Sequence, residues 1–307
     1  MPTRKSQGML GLIRSHKQLA ARFSRDVIMR IDPPVETVAK LRTNGTTARA
    51  VPGLAMPALL VTPRQRVVED GAILHLHGGA YVSGGIMQCR ALISPICAAA
   101  GARALTFCYR LAPRHPYPAQ LEDALRAYQS LRDQGYPPDK IALVGESAGG
   151  NLALALTLRL REMGEKLPAG LALLSPWVDL KQTGDSYRTL RDQDATLNGE
   201  ELLRCAIQFA GSRERLADPD ISPLYADFTG FPPTLIHCGT QEILLSDSER
   251  LERALLRDGV DARLVRWAGM CHVFQAFGFE ESKASNRQIG LFLRSCLQGF
   301  ASPDPSS

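Results

Sequence analysis

The sequence predicts an α/β protein built on a mostly parallel β-sheet with helices on both faces. The first observation is that short apolar runs, typical of strands buried on both faces, alternate along the chain with longer helical patterns. The second is a glycine-rich turn at residues 145–150, which joins one of the apolar runs directly to a helical stretch. Such alternation is expected when each parallel strand is followed by a helix that returns the chain to the same edge of the sheet.

Seven apolar runs are predicted strands and five longer patterns are predicted helices. The strands are expected at residues 58–61, 72–76, 104–108, 141–144, 171–174, 234–238 and 262–267. The helices are expected at residues 86–100, 118–134, 148–163, 246–257 and 282–297. Because glycine, proline or charged residues bound the apolar runs, each run has a defined beginning and end.

Two segments interrupt the alternation and are predicted to form a cap. Residues 1–50 contain an amphipathic helical stretch that the Asp-Pro-Pro sequence at 32–34 should stop. A second insertion, at about 180–216, is mostly helical from 199 to 209. Such insertions usually cover one end of the sheet, although two unrelated surface excursions are the alternative. The chain thus divides into N-terminal cap helices (1–50), an α/β domain containing the cap insertion (51–300) and a flexible tail (301–307).

Composition excludes several classes of protein. The chain has 307 residues, of which 45% are apolar, enough for one large core. Its net charge of +5 is spread along the chain. A nucleic-acid binder would instead concentrate its basic residues on one element. No run of about 18 uncharged apolar residues predicts a membrane span, and the apolar run at 9–13 is too short for a secretory signal. The seven cysteines lack metal-type spacing, which predicts free thiols in a cytoplasmic protein with no metal and no organic cofactor.

The glycine-rich turn carries the candidate nucleophile. Its sequence, Gly-Glu-Ser-Ala-Gly-Gly at residues 145–150, is the Gly-x-Ser-x-Gly pattern between a strand and a helix. A serine exposed on so sharp a turn requires small residues two positions before and two positions after it. The amino end of the helix also favours negative charge that develops near the serine. Ser147 is therefore the predicted nucleophile.

A second glycine-containing loop follows the predicted strand at 72–76, with the sequence His77-Gly78-Gly79-Ala80-Tyr81. Glycines leave backbone N–H groups open to a ligand, and acyl transfer needs such donors where the carbonyl oxygen becomes an oxyanion. We assign the N–H groups of Gly78 and Gly79, together with that of Ala148, to an oxyanion hole. His77 is expected to orient this loop rather than to act as a base.

Together these motifs resemble those of the hormone-sensitive-lipase family of α/β-hydrolases. The Tyr-Arg-Leu-Ala-Pro and Glu-Asp-Ala motifs within residues 109–124, and the Asp-Pro and Ser-Pro pairs within 218–223, extend the resemblance over roughly residues 55–295. The resemblance implies an α/β-hydrolase fold with a helical cap and a serine carboxylesterase that acts on short- to medium-chain acyl esters. The sequence departs from the family pattern at Ala80, where a third glycine is usual, and at Glu146, where aspartate is more frequent.

The histidine of a serine hydrolase of this fold comes last along the chain, in a loop after one of the final strands. His272 follows the strand predicted at 262–267 and is the expected base. The other histidine after Ser147, His237, lies inside the predicted strand at 234–238 and is expected to pack in the core.

The acid lies between the serine and the histidine in the chain order of this fold. The resemblance implies Glu242, because family members usually carry the acid at this loop position and at a similar distance from the histidine. A carboxylate there would orient the imidazole and stabilise its protonated form. Asp247 and Asp179 are the alternatives, although Asp247 also suits the start of a helix.

The substrate stays open at the level of sequence. An esterase, a lactone hydrolase and a deacetylase of a small natural product would use the same residues. Tyr81, beside the oxyanion loop, is expected to bind substrate, whereas Leu202, Leu203 and Phe209 either line the acyl pocket or pack in the core.

Two expectations concern the protein as a whole. A catalytically silent binding protein with a hydrolase fold is the alternative of another class, but the presence of both Ser147 and His272 argues against it. The expected partner is a small-molecule ester, and the resemblance implies a homodimer formed through an edge strand.

Overall fold

An eight-stranded sheet forms the centre of the protein. The computed structural model describes residues 3, 6–8, 33–41, 43 and 45–300. In chain order the strands are β1 (Thr46–Ala50), β2 (Ala58–Pro63), β3 (Ala72–Leu76), β4 (Arg103–Phe107), β5 (Ile141–Glu146), β6 (Gly170–Leu174), β7 (Thr234–Gly239) and β8 (Ala262–Trp267). Their order in the sheet is β1-β2-β4-β3-β5-β6-β7-β8, and β2 is antiparallel to both of its neighbours while all other pairs are parallel.

Helices cover both faces of this sheet. They are α1 (Val35–Lys40), α2 (Ile86–Ala100), α3 (Ala119–Asp133), α4 (Ala148–Glu162), α5 (Ser186–Thr189), α6 (Gly199–Ala210), α7 (Leu245–Arg257) and α8 (Glu280–Gln298). Helices α1, α2 and α8 pack in one apolar core, and α3, α4, α6 and α7 pack in a second core on the other face. Among the described residues no helix is both long and apolar enough to cross a membrane.

The predicted fold class is confirmed. All seven predicted strands and all five predicted helices are present, with ends within two residues of the expected positions. Strand β1 was not predicted, because residues 46–50 were assigned to the N-terminal cap. Its residues alternate between buried and exposed, and it pairs with β2 at the edge of the sheet, so it lacks the continuous apolar run of an inner strand. Most of the predicted N-terminal cap helices and the predicted tail at 301–307 lie outside the described residues.

The insertion at 180–216 contains helix α6, close to the helical segment predicted from 199 to 209. Asn198 caps this helix, and its Oδ1 accepts the backbone N–H groups of Glu200 at 3.0 Å and Glu201 at 3.1 Å. Leu202 and Phe209 are buried within the same apolar core as α3 and α4. The helix is therefore fixed by packing of its apolar face onto the main domain.

The parallel strands direct several loops to one edge of the sheet. Strands β3, β5, β6, β7 and β8 are parallel and adjacent in this order, so their carboxyl ends emerge side by side. Residues 77–81, 147, 175, 240–242 and 268–272 follow these ends. Ligand sites of parallel α/β sheets lie at this edge, and the residues of the predicted site converge there.

Candidate active site

Ser147 lies on a strained turn between β5 and α4. Its backbone has φ 56° and ψ −120°, a conformation that residues with a Cβ rarely adopt. The flanking glycines make the turn possible. A Cβ on Gly145 would lie 2.2 Å from the carbonyl oxygen of Gly149, and one on Gly149 would lie 1.9 Å from that of Leu76. The spacing of glycine around the serine is thus a steric requirement, as the sequence predicted.

Neighbouring backbone groups fix this turn. The N–H of Ser147 donates to the carbonyl of Leu174 at the end of β6 at 2.9 Å, and the Ser147 carbonyl accepts the N–H of Trp177 at 3.0 Å. Only 6% of Ser147 is exposed. The backbone at this position is therefore fixed, and little of the residue is open to solvent.

His272 and Glu242 form a hydrogen-bonded pair at the same edge of the sheet. The Nδ1 atom of His272 lies 2.6 Å from Glu242 Oε2. Because the carboxylate accepts at Nδ1, the neutral imidazole carries its lone pair on Nε2. Glu242 is completely buried, whereas 9% of His272 is exposed. The predicted pairing of His272 with Glu242 is thus present in the structure.

The second oxygen of Glu242 is also held. Its Oε1 atom accepts the Ser175 hydroxyl at 2.7 Å and the Gly239 N–H at 2.7 Å, and the Cys238 thiol lies 3.0 Å away. Ser175 has φ 46° and follows β6, as Ser147 follows β5. These contacts on Oε1 therefore hold the carboxylate in place, with Oε2 directed at the imidazole. The sequence reasoning missed Ser175, although a polar residue directly after an apolar strand was a usable signal.

The alternative acids are engaged elsewhere. Asp247 Oδ2 accepts the backbone N–H groups of Val178 at 3.0 Å and Asp179 at 2.9 Å. Burial raises the pKa of Asp247 well above its ordinary value. Asp179 forms an ion pair with Arg250 at 2.6 Å. Neither carboxyl group bonds to His272, so both organise the start of α7 and the chain that follows β6.

The oxyanion loop differs from the prediction at Gly78. The N–H of Gly78 donates to Glu146 Oε1 at 2.7 Å, so it is committed to a carboxylate and not directed at a substrate. Gly79 and Ala80 follow with φ values of 111° and 52°. Within the described part of the chain, the N–H groups of Gly79, Ala80 and Ala148 have no hydrogen-bond acceptor. We therefore replace Gly78 by Ala80 in the assigned set of donors and retain Gly79 and Ala148.

Glu146 joins the nucleophile turn to the oxyanion loop. Besides its bond to Gly78, its Oε2 atom lies 2.8 Å from Nε2 of His75, whose Nδ1 atom lies 2.8 Å from Thr106 Oγ1. All three side chains are buried. This network crosses from β5 through β3 to β4 and fixes the two loops relative to each other. The sequence reasoning did not assign His75, although a histidine within a buried apolar run was a signal.

His77 orients the oxyanion loop, as expected. Its Nδ1 donates to the Gly78 carbonyl at 2.7 Å, and its ring stacks on Tyr109 at a centroid distance of 3.9 Å. The hydroxyl of Tyr109 donates to the His77 carbonyl at 2.7 Å. A Cβ on Gly84 would lie 2.2 Å from the His77 ring, so the loop closes around this side chain.

Tyr81 has a structural position instead of the predicted contact with substrate. Its side chain is completely buried, and its ring stacks on Phe209 of α6 at 3.7 Å. Its hydroxyl donates to Asn151 Oδ1 at 2.8 Å, and Asn151 Nδ2 donates to the carbonyls of Trp177 and Ile221. Tyr81 therefore ties the oxyanion loop to the cap insertion. Of the predicted cap residues, Phe209 and Leu202 are core residues and Leu203 is half-buried.

His237 is a core residue, as predicted. It is completely buried in β7, and its Nδ1 accepts the Trp267 indole N–H at 3.1 Å and lies 2.8 Å from Ser285 Oγ. Burial lowers its pKa to about 3, so the ring stays neutral at physiological pH. Neither of these ring hydrogen bonds goes to His272 or Glu242.

Comparisons with known proteins agree with this geometry. A family model described as alpha/beta hydrolase fold matches residues 73–276. An acetyl-hydrolase of Streptomyces hygroscopicus is 39% identical over 74% of this chain and 76% of its own. An esterase of Acinetobacter venetianus is 38% identical over 73% of this chain and 74% of its own. The crystal structure of an esterase of the bacterial hormone-sensitive-lipase family matches with a TM-score of 0.87 and 36% identity, over 97% of this chain and 99% of that chain.

The fold and the site together define the class of protein: a hydrolase with a serine on a strand-to-helix turn and a paired histidine and carboxylate at the same edge of the sheet. The chain belongs to the α/β-hydrolase-fold family, and within it to the hormone-sensitive-lipase esterases.

Proposed function

We propose that this protein is a serine carboxylesterase that hydrolyses short- to medium-chain acyl esters through an acyl-enzyme on Ser147. The observation that carries the proposal is the hydrogen bond between His272 and the buried Glu242, at the same edge of the sheet as the strained Ser147 turn. The relatives named esterase and acetyl-hydrolase support the reaction class. No metal or organic cofactor takes part in the proposed reaction.

The proposed mechanism begins with proton transfer. Nε2 of His272 takes the proton of Ser147 Oγ as that oxygen attacks the ester carbonyl carbon. Glu242 accepts the Nδ1–H bond at 2.6 Å and stabilises the imidazolium that results. The imidazolium then gives its proton to the leaving alkoxide, and the alcohol departs. Water, deprotonated by the same histidine, attacks the acyl-enzyme and releases the carboxylic acid and the free serine.

We assign stabilisation of the tetrahedral intermediate to three backbone donors, the N–H groups of Gly79, Ala80 and Ala148. Each lacks an acceptor within the described part of the chain, and two of them lie in a loop that Glu146 holds against the nucleophile turn. Removing one such donor from a serine hydrolase typically costs about 3–4 kcal/mol of transition-state stabilisation. Because Glu146 and His75 fix the loop before substrate binds, the donors need little reorganisation during the reaction.

Removal of an acetyl group from a small natural product is the second candidate. The observation that favours it is the relative named acetyl-hydrolase, at 39% identity. The low exposure of Ser147 and His272, 6% and 9%, suits a small acyl group better than a long one. Acetyl ester substrates therefore belong in the first set to be measured.

Two further proposals concern the protein in the cell. A cytoplasmic location is supported by its cysteines, since six of the seven are buried in the protein interior. A homodimer formed through an edge strand is supported by β8 (Ala262–Trp267), which pairs with β7 on one side and ends the sheet on the other.

The experiment that tests the function is hydrolysis of p-nitrophenyl esters from acetate to palmitate by the wild type and by Ser147→Ala. We expect the wild type to prefer short or medium acyl chains. We expect Ser147→Ala to lower kcat by about three to six orders of magnitude, because it removes the only proposed nucleophile. Circular dichroism and thermal unfolding establish that the variant is folded.

Ser94→Ala is the matched control for this experiment. Ser94 is also buried, but it lies on α2 and donates to the Arg90 carbonyl at 2.7 Å. Its substitution should leave kcat/KM unchanged within about two-fold, since the lost bond lies far from the transition state. Ester hydrolysis that persists in Ser147→Ala would contradict the proposal, and so would a folded wild type that hydrolyses no ester. The second result would favour a catalytically silent binding protein.

A further inference from the structure

We propose that His77, Cys89 and Cys108 form a binding site for a thiophilic divalent metal ion such as Zn²⁺, directly behind the oxyanion loop. One ring nitrogen of His77 and the two Sγ atoms all lie within 4.8 Å of one another. The three residues come from the loop after β3, the first turns of α2 and the residue after β4, so the fold and not a sequence motif brings them together.

The spacing of the three ligand atoms suits one metal ion. Zn²⁺ binds thiolate sulfur at about 2.3 Å and histidine nitrogen at about 2.0–2.1 Å, so neighbouring ligand atoms of one tetrahedral ion lie about 3.6–3.8 Å apart. The three atoms lie within 4.8 Å of one another before any ion is bound, so binding would draw the two cysteine side chains and the His77 ring about 1 Å closer together. Three protein ligands also leave a fourth position of the tetrahedron for water.

The histidine of the cluster is oriented as metal ligands usually are. Metal-bound histidines commonly donate their other ring N–H to a carbonyl or carboxylate, which fixes the tautomer. Nδ1 of His77 donates to the Gly78 carbonyl at 2.7 Å, which places the lone pair of the neutral ring on Nε2. Stacking on Tyr109 and close packing against Gly84 hold the ring in this orientation.

Charge and access also favour a cation. Glu146 lies close enough to Cys89 to interact with it electrostatically. Binding would release the two thiol protons to solvent, so that one divalent ion and two thiolates leave no net charge in a buried place. Cys108 is half-buried, unlike Cys89, and gives the ion a path to the cluster.

A metal ion bound to this cluster should affect catalysis, an expectation that rests on the proposed esterase function. His77 begins the loop that carries the proposed donors Gly79 and Ala80, and a metal ion would draw its ring toward the cysteines. We therefore expect the bound ion to inhibit ester hydrolysis. Binding itself is measured without reference to activity, so failure of the esterase proposal leaves the test of the site intact.

The experiment is a titration of the reduced, metal-free full-length protein with Cd²⁺, followed by the ultraviolet thiolate-to-metal absorption and by calorimetry. The wild type should bind one tight equivalent. Cys89→Ser and Cys108→Ser should each weaken that binding by more than about 100-fold, since loss of an outer-shell partner alone costs 10–100-fold. Inhibition, expressed relative to the metal-free rate of each protein, should occur in the wild type and be lost in both variants.

Cys97→Ser is the matched control. Cys97 lies on the same helix and is equally buried, but its thiol donates to the Ala102 carbonyl at 3.1 Å, a bond that serine can also make. This variant should bind Cd²⁺ like the wild type. A band unchanged in both Cys89→Ser and Cys108→Ser, or lost equally in Cys97→Ser, would overturn the proposal.

A measurement on the wild type alone guards against variants that do not fold. Alkylation by N-ethylmaleimide, mapped by peptide mass spectrometry, should reach the half-buried Cys108 in the metal-free protein and should be blocked by one equivalent of Cd²⁺. Equal modification of Cys108 with and without Cd²⁺ would place the ion elsewhere and refute the site.

Discussion

Two buried carboxyl groups, Glu242 and Asp247, lie close together in the sequence and have opposite surroundings. Glu242 is held between His272 on one oxygen and Ser175 and Gly239 on the other. Asp247 faces backbone N–H groups, and burial raises its pKa well above the ordinary value. The difference in surroundings, and not the residue type, separates a proposed catalytic acid from a structural one.

Substitution of these two residues should separate their roles. Glu242→Gln is expected to lower kcat by about three to four orders of magnitude with little loss of stability, since the amide no longer stabilises the imidazolium. Asp247→Asn should keep kcat within about ten-fold, because the amide oxygen still accepts the N–H groups of Val178 and Asp179. Steady-state kinetics and urea unfolding of both variants provide the measurement. Equal losses of kcat in the two would mean that Glu242 is not the catalytic acid.

Individual residues also mark the limit of prediction from sequence. Ser147, His272 and the pairing with Glu242 followed from motifs because the motif residues are near neighbours or occupy fixed loops of the fold. Gly78 was misassigned because the acceptor of its N–H, Glu146, lies 68 residues further along the chain. Tyr81 was misassigned because its partner Phe209 belongs to a distant insertion. Local sequence gives no signal for contacts of this kind.

At the scale of elements, the strand-to-helix turn depends on the close approach of two strands and a helix. The carbonyl of Leu76, at the end of β3, lies where a Cβ on Gly149 would be placed. Since that carbonyl belongs to the strand that leads into the oxyanion loop, a side chain at 149 would displace both proposed catalytic loops at once.

Gly149→Ala tests this dependence, with Gly199→Ala as its control. A Cβ only 1.9 Å from backbone must move β3 or α4, so we expect a loss of about 1–3 kcal/mol in the free energy of unfolding and at least a 100-fold fall in kcat/KM. Gly199 begins α6 and would place its Cβ 3.6 Å from Gln182, an ordinary contact, so activity should not change. Urea unfolding and p-nitrophenyl butyrate kinetics give both quantities. Full activity in Gly149→Ala would show that the turn tolerates displacement.

The elements also show which patterns in the sequence are informative. Inner strands such as β3 and β5 are buried along their whole length, so a plain apolar run predicted them. Strand β1 alternates between buried and exposed residues and includes Arg49, so its five residues gave too short a pattern to separate a strand from a loop. An edge strand need not be buried on both faces, so its sequence lacks the continuous apolar run that identifies an inner strand.

At the scale of the whole molecule, the buried histidine of β7 links stability to pH. His237 has its pKa lowered to about 3 by burial, against 6.5 for an ordinary histidine. Between these values the unfolded chain binds a proton that the folded chain does not, so the free energy of unfolding falls as pH falls. The contribution of His237 to the free energy of unfolding is complete above about pH 6.5. Below that pH it decreases by up to about 1.4 kcal/mol per pH unit.

His237→Gln should remove this dependence. The variant is expected to show a smaller slope of unfolding free energy between about pH 6.5 and 4, by up to about 1.4 kcal/mol per pH unit, whatever its stability at pH 8. Urea unfolding at four or five pH values measures the two slopes. Equal slopes of unfolding free energy against pH in the wild type and in His237→Gln would mean that other groups control the acid sensitivity of this fold.

The strained turn at Ser147 has a consequence for any attempt to make this protein more durable. A residue with a Cβ at φ 56° and ψ −120° costs about 1–3 kcal/mol that glycine would not. A laboratory selection for heat resistance alone would therefore favour glycine at this position and recover longer-lived chains that cannot form an acyl intermediate. Screens that demand turnover as well as survival are needed, because at this single residue durability and chemistry oppose each other.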